Sequence, residues 1–80
     1  MQSKDEIAKW VIEIVSREFG FDAGALHLDT RLAEDLDLDS IDAIDMAVRI
    51  EERCRVVLGG SDLQSIETLQ DVVNFIHERI

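Results

Sequence analysis

Apolar residues in this chain recur every three or four positions, the spacing of amphipathic helices, and do not alternate as they do in strands. The first stripe ends before Gly20, a residue type that commonly follows helices. Ser3, with Glu6 three positions later, fits a capping box. We therefore predict a first helix over about residues 3–19. Its stripe comprises Ile7, Val11, Ile14 and Val15, with Glu18 at its end.

Between Gly20 and Asp39 the helical periodicity disappears, and leucines interrupt an otherwise polar stretch. This pattern predicts a long ordered loop whose leucines hold it onto the core, with a short turn near Leu32–Asp35. The leucines are Leu26, Leu28, Leu32, Leu36 and Leu38.

A second helix is predicted from about Ser40 to Cys54, because Asp39 is a favourable N-cap and Asp42 follows three positions later. This helix carries two apolar rows, which is more apolar surface than one helix contact requires. One row can pack in the core while the other borders a pocket or a partner. We assign to the core the row of Met46, Ile50 and Cys54. The other row consists of Ile41, Ile44 and Val48.

The C-terminal part predicts two further helices after the break at Gly59 and Gly60. One helical turn is expected at Asp62–Ile66, and Thr68 begins a last helix. The core face of that helix is Leu69, Val72, Val73, Ile76 and Ile80. The fold class is therefore all-α: a small four-helix bundle of three main helices and one short helix, with a long first loop, in one domain over residues 1–80.

The charge of the chain limits its partners. Eighteen acidic against eight basic side chains give a formal net charge of −10. This charge repels nucleic acids and anionic membranes, and it favours proteins with basic patches. A chain of this size buries only about 60% of its unfolded surface, which disfavours a large substrate cleft and hence an enzyme.

The cellular compartment is expected to be the cytoplasm. Cys54 is the single cysteine, so neither an internal disulfide nor a multi-cysteine metal site can form. The apolar runs are too short for a membrane span, and residues 1–6 lack the order of a secretory signal. We expect a monomer.

Ser40 places a hydroxyl group at a predicted helix start, within the acidic segment 34–46. Ser40 could simply help to begin the helix. A catalytic serine is not expected, because a nucleophile needs a neighbouring base and this segment contains neither lysine nor histidine. The positive end of a helix dipole would instead suit a phosphodiester on the serine oxygen, installed by an external enzyme.

These residues resemble the acyl carrier proteins, in which the serine of an Asp-Ser-Leu motif carries 4'-phosphopantetheine at the start of the second helix. The motif stands here as Asp39-Ser40-Ile41. The resemblance covers nearly the whole chain, since it extends from Glu34-Asp35-Leu36 through Ile50-Glu51-Glu52 to Ile66-Glu67-Thr68-Leu69.

The resemblance implies a carrier that partner enzymes act on and that is not itself an enzyme. It would hold acyl intermediates as thioesters on a 4'-phosphopantetheine arm at Ser40, for biosynthesis of the fatty-acid, polyketide or aryl-polyene type. The implied partners are a phosphopantetheinyl transferase, acyl-loading enzymes and ketosynthases, all with basic docking patches.

The resemblance also implies roles for single residues. Asp39 would help to position metal and coenzyme A in the complex with the transferase, although the chain has no metal site of its own. The acyl group would fold into a cleft walled by Ile44, Val48 and Ile66, and core packing explains these three residues equally well. Partner contacts would come from Ile41, Asp42, Asp45, Val48, Glu51 and Glu52.

Four positions depart from the family pattern. Asp37 stands where the family usually has glycine, and Cys54 replaces a usual phenylalanine. Arg49 and Arg53 bring positive charge to the second helix. We hypothesise that these two arginines narrow the set of accepted partners.

Three other functions fit parts of the sequence. A D-alanyl or aminoacyl carrier would use the same arm with a different ligase. An unmodified acidic adaptor would dock through Ile41 and Val48. A calcium-binding module is suggested by the clustered acids, but a calcium loop that begins at Asp35 would have Met46 in place of its final glutamate.

Overall fold

The computed structural model describes residues 3–80, which form four α-helices joined by ordered loops. The helices are α1 (Lys4–Phe19), α2 (Ser40–Cys54), α3 (Gly60–Ser65) and α4 (Leu69–Arg79), and a 3-10 turn at Ala23–Ala25 interrupts the long first loop. The predicted all-α architecture, with three main helices and one short helix, is confirmed. Within the described chain, no helix is both long and apolar enough to cross a membrane.

Helix α1 begins and ends where its sequence predicts. The Ser3 hydroxyl accepts a hydrogen bond from the Glu6 N–H at 3.3 Å. Gly20 adopts a left-handed conformation with φ 77°, and its N–H donates to the Ser16 carbonyl at 2.9 Å. Glycine accepts this conformation without the steric cost of a Cβ atom, which is why the helix stops there.

The core lies where α1 packs against α4 and α2. Its fully buried side chains are Ile7, Val11, Val15, Met46, Ile50, Leu69, Val72, Val73 and Ile76. The predicted core face of α4 is wrong at one position, because the helix ends at Arg79 and Ile80 is 40% exposed.

The long loop is fixed to the bundle by both side chains and backbone. Leu26 and Leu32 are buried, and the other three leucines are half-buried. The Leu32 N–H donates to the Glu67 carbonyl at 2.9 Å, and the Leu69 N–H donates to the Thr30 carbonyl at 3.2 Å. These bonds form an antiparallel bridge that joins the loop to the start of α4. The predicted loop is confirmed, whereas neither the bridge nor the 3-10 turn was predicted.

Helix α3 begins at Gly60, two residues before the predicted start at Asp62. The Asp62 carboxylate accepts a hydrogen bond from the Gly59 N–H at 3.0 Å, so that Asp62 occupies the third position of the helix. An acidic side chain is favourable there because it lies near the positive end of the helix dipole.

Candidate functional site

Ser40 is the first residue of α2 and is exposed. A complete capping box fixes the backbone around it. One carboxylate oxygen of Asp39 accepts from the N–H groups of Ile41 at 2.9 Å and Asp42 at 3.0 Å. The Asp42 carboxylate in turn accepts from the Asp39 N–H at 3.1 Å. Both neighbouring carboxylates are thus bound to backbone donors, and Ser40 is presented on a rigid helix start.

A cleft of about 370 Å³ opens beside Ser40, between the long loop, the first half of α2 and α3. Its apolar lining residues are Leu32, Ala33, Leu38, Ala43, Met46, Leu63 and Ile66. Four charged residues, Arg31, Glu34, Asp39 and Glu67, also line it. The arrangement can shelter an apolar group that is tethered near Ser40.

Only one of the three predicted wall residues, Ile66, lines this cleft. Ile44 and Val48 are 54% and 44% exposed and lie outside its lining. The reason is helix geometry, since the row of α2 that faces the cleft begins at Ser40 and continues every third residue through Ala43 and Met46. The three-residue spacing from Ser40 is a signal in the sequence that could have identified Ala43 and Met46 as cleft residues. The sequence prediction assigned Met46 to the core alone. The assignment of Ile44 and Val48 to an acyl pocket stays a prediction.

The second apolar row of α2 remains uncovered. Ile41 is 69% exposed and, with Ile44 and Val48, forms a surface that begins next to Ser40. The other row packs inward as predicted, with Met46 and Ile50 fully buried. Cys54 is half-buried, and its thiol donates to the Ile50 carbonyl at 3.3 Å.

The predicted partner-binding acids differ in what they contact. The Asp42 carboxylate accepts the Asp39 N–H within the capping box. Glu52 accepts a hydrogen bond from the Arg49 guanidinium at 3.2 Å, and a second nitrogen of Arg49 donates to Glu18 at 3.0 Å. Asp45 and Glu51 are exposed on α2.

Arg31 is a lining residue of the cleft that sequence reasoning missed. Its guanidinium donates to Glu34 at 2.9 Å, and its backbone N–H donates to the Asp35 carboxylate at 2.8 Å. The hydrogen bond and charge of Glu34 raise the pKa of Arg31, so its proton is unavailable for transfer. Neither lysine nor histidine is among the described residues that line the cleft. The described lining of the site therefore lacks the imidazole or amine base that commonly activates a serine.

The clustered acids of the loop do not converge on a common point. Among residues 3–80, no group of three or more histidine, cysteine or acidic side chains is arranged to hold a metal ion. Asp35 contacts the Arg31 backbone, while Asp39 and Asp42 cap α2. This arrangement gives no support to the calcium-module interpretation.

Comparison with known proteins agrees with this geometry. Residues 9–76 match the model of a family described as a phosphopantetheine attachment site. The acyl carrier protein of Kocuria rhizophila is 40% identical over 95% of this chain and 94% of its own length. That of Thermotoga maritima is 31% identical over 100% of this chain and 99% of its own length.

The fold is also found among solved structures. A Mycobacterium tuberculosis protein described as a candidate acyl carrier protein superposes with a TM-score of 0.84, covering 92% of this chain and 99% of its own. Its sequence identity is 19%, so this likeness concerns the fold alone.

Proposed function

Because the chain belongs to the acyl carrier protein family, whose members carry 4'-phosphopantetheine covalently on a serine, we propose that Ser40 is the serine that carries it. The chain is a carrier on which other enzymes act, not a catalyst. The observation that supports Ser40 is its place as the exposed first residue of α2, within the capping box of Asp39 and Asp42 and at the edge of a partly apolar cleft.

The residues around Ser40 fit a phosphodiester on its oxygen. The positive dipole end of α2 lies at this region and favours an added negative charge. The N–H groups of Ile41 and Asp42 already donate to Asp39, and the carboxylates of Asp39 and Asp42 offset part of the dipole. When attached, the arm supplies the thiol on which an acyl group is carried as a thioester.

The chain's own residues would position and shelter what the arm carries. The capping box fixes the backbone of Ser40 at the start of α2. Leu38, Met46 and Leu63 contribute apolar walls to the cleft beside Ser40. The transferase must supply the base that accepts the Ser40 proton, because the described lining residues offer no suitable one.

We place the carrier in biosynthesis of the fatty-acid or polyketide type, including aryl polyenes. The apolar walls support this assignment, since Leu38, Met46 and Leu63 offer surface against which an apolar acyl chain can pack. Its partners would be the transferase, acyl-loading enzymes and ketosynthases. We also propose a cytoplasmic monomer, in which the free thiol of Cys54 stays reduced.

Intact-protein mass spectrometry tests the attachment site. The apo chain is incubated with coenzyme A, magnesium and a broad-specificity phosphopantetheinyl transferase, and Ser40→Ala is treated in parallel. We expect the wild-type chain to gain one phosphopantetheinyl group and the variant to gain none.

Ser61→Ala, which removes another exposed serine early in a helix, is the matched control and should still be modified at Ser40. An unmodified wild-type chain, shown to be folded and tested with a transferase active on another carrier, would contradict the proposal. The acidic adaptor would then be the better interpretation.

A further inference from the structure

A phosphodiester on Ser40 would add a negative charge to a region that is already acidic. Asp39 and Asp42 lie on either side of the serine in the capping box. The N–H groups of Ile41 and Asp42 already donate to the Asp39 carboxylate, at 2.9 Å and 3.0 Å. Because these two donors of the helix start are occupied, the added charge would be stabilised by a cation from another part of the fold.

Arg31 is the cation that lies at the cleft beside Ser40. Both residues line the same space of about 370 Å³, and among its described lining residues Arg31 is the only basic one. The Arg31 side chain is 57% exposed, so its guanidinium is accessible to a group attached at the cleft edge. The cleft therefore places one positive charge on the same side of the fold as the expected attachment oxygen.

The backbone of Arg31 is held by three contacts. Its N–H donates to the Asp35 carboxylate at 2.8 Å, and its carbonyl accepts from the Asp35 N–H at 2.9 Å. Arg31 also pairs with Thr68 in the antiparallel bridge that joins the long loop to the start of α4. The guanidinium thus extends from a fixed point of the loop.

Most donors of this guanidinium are unused. Its Nη1 donates to Glu34 at 2.9 Å, whereas within residues 3–80 its Nε and Nη2 make no hydrogen bond. A guanidinium has five N–H donors in a planar fork that matches the oxygens of a phosphate group. Glu34 therefore holds one nitrogen in place and leaves the others available to an anion.

The acids of the cleft restrict which anion can use these donors. Glu34 and Glu67 also line the cleft and would repel a free anion that approached from solution. A phosphodiester on Ser40 is attached covalently, so its concentration near Arg31 is high without any association step. The pairing should therefore form with the tethered group and not with free phosphate.

We propose that Arg31 pairs with the phosphodiester that joins the arm to Ser40 and so directs the root of the arm toward the cleft. This inference rests on the proposed function, because it requires the arm at Ser40. Arg31 is a positioning residue, which orients the arm and takes no part in acyl transfer. An acyl group on an arm held in this way meets the apolar walls at Leu38 and Met46 more often.

NMR spectroscopy of the arm-bearing chain tests the pairing. Arg31→Gln removes the guanidinium, and Arg17→Gln is the matched control, because Arg17 pairs with Glu13 on α1 and does not line the cleft. Each chain is converted completely with coenzyme A and a transferase, as judged by its mass. We expect the phosphorus signal of Arg31→Gln to be shifted from that of the wild type and the signal of Arg17→Gln to be unshifted.

A second measurement needs no substitution. Attachment of the arm to the wild-type chain should move the guanidinium N–H signals of Arg31 and slow their exchange with water by about threefold. The signals of Arg17 should stay in place. Inorganic phosphate added to the apo chain at millimolar concentration should leave Arg31 unchanged.

An unshifted phosphorus signal in Arg31→Gln would overturn the inference, as would Arg31 signals that do not respond to the arm. An equal shift in Arg17→Gln would assign the effect to net charge, and an equal response of Arg31 to free phosphate would refute the role of the tether. A chain that gains no mass contradicts the proposed function and this inference together. A chain that gains the arm without these changes keeps the function and loses only the inference.

Discussion

Asp37 holds a backbone conformation that residues with a Cβ atom rarely adopt. Its φ is 55°, in the left-handed region, three positions before Ser40. The Leu38 N–H donates to the Leu32 carbonyl at 3.0 Å and so fixes the next residue of the turn. The turn that leads into the cap of α2 therefore imposes a conformation suited to glycine, and an aspartate at this position carries an energetic cost.

Asp37→Gly is expected to raise the free energy of unfolding by about 1 kcal/mol, because glycine adopts a positive φ without the Cβ penalty. Urea unfolding followed by circular dichroism measures the change. Asp37→Ala is the control, since it removes the same negative charge but keeps a Cβ atom. If the alanine variant were as stable as the glycine variant, charge rather than backbone conformation would be the cause.

At the start of α4, the helix cap lies next to the hydrogen bonds that hold the long loop. The Thr68 hydroxyl accepts from the Asp71 N–H at 3.2 Å, and the Asp71 carboxylate accepts from the N–H groups of Glu67 at 2.9 Å and Thr68 at 3.1 Å. The Glu67 carbonyl also accepts a hydrogen bond from the Leu32 N–H of the long loop. The hydrogen bonds made by Asp71, foremost the one from the Glu67 N–H, lower the pKa of Asp71 below its ordinary value of 3.8.

This lowered pKa predicts a specific loss of stability in acid. The unfolded chain binds a proton at Asp71 more readily than the folded chain does, so the stabilisation from Asp71 is present above pH 3.8 and is lost as pH falls through the lower folded value. Asp71→Asn should therefore be less stable than the wild type at neutral pH. The difference should shrink below pH 3.8, as measured by urea unfolding across a pH series.

Glu78→Gln provides the comparison for that series. Glu78 is exposed near the end of α4 and, within the described residues, accepts no side-chain hydrogen bond. Its substitution should leave neutral-pH stability within about 0.5 kcal/mol of the wild type. If the difference in the free energy of unfolding between wild type and Asp71→Asn stayed constant with pH, the proposed role of the Asp71 carboxylate would be refuted.

The whole molecule combines a small apolar core with a net charge of −10. The described chain measures 30 × 26 × 20 Å, so like charges repel one another over distances comparable with the screening length in dilute buffer. The five ion pairs found among residues 3–80 leave most of the acids without a basic partner. Self-repulsion therefore opposes the compact state.

Added salt should stabilise the folded chain. Raising the ionic strength from about 10 mM to about 150 mM shortens the screening length from about 30 Å to about 8 Å, which should raise the thermal midpoint. Scanning calorimetry in sodium chloride measures the shift. Magnesium and calcium at matched ionic strength should act alike, because the described acids form no metal-holding group. A rise specific to calcium would instead indicate a built site.

Features that depend on neighbours within one helical turn can be predicted from the sequence alone. The helix starts at Ser3, Asp39 and Thr68 follow from caps whose partners lie three positions away, and the two apolar rows of α2 follow from its 3.6-residue period. The same local pattern placed the Ser40 hydroxyl at a helix start. The residues around Asp39-Ser40-Ile41 resemble the acyl carrier proteins, and the comparisons confirm that family.

Which residues meet across the fold depends on how the helices and loops pack together. The cleft beside Ser40 depends on Leu38, Met46 and Leu63 converging from three segments. Of the three wall residues that the sequence predicts, Ile66 lines this cleft, and the assignment of Ile44 and Val48 stays a prediction. The bonds between Arg49 and Glu18, and between the loop and the start of α4, likewise join residues far apart in the chain. Periodicity shows which face of an element is apolar, but what that face contacts depends on how the helices pack together, and no local pattern contains that information.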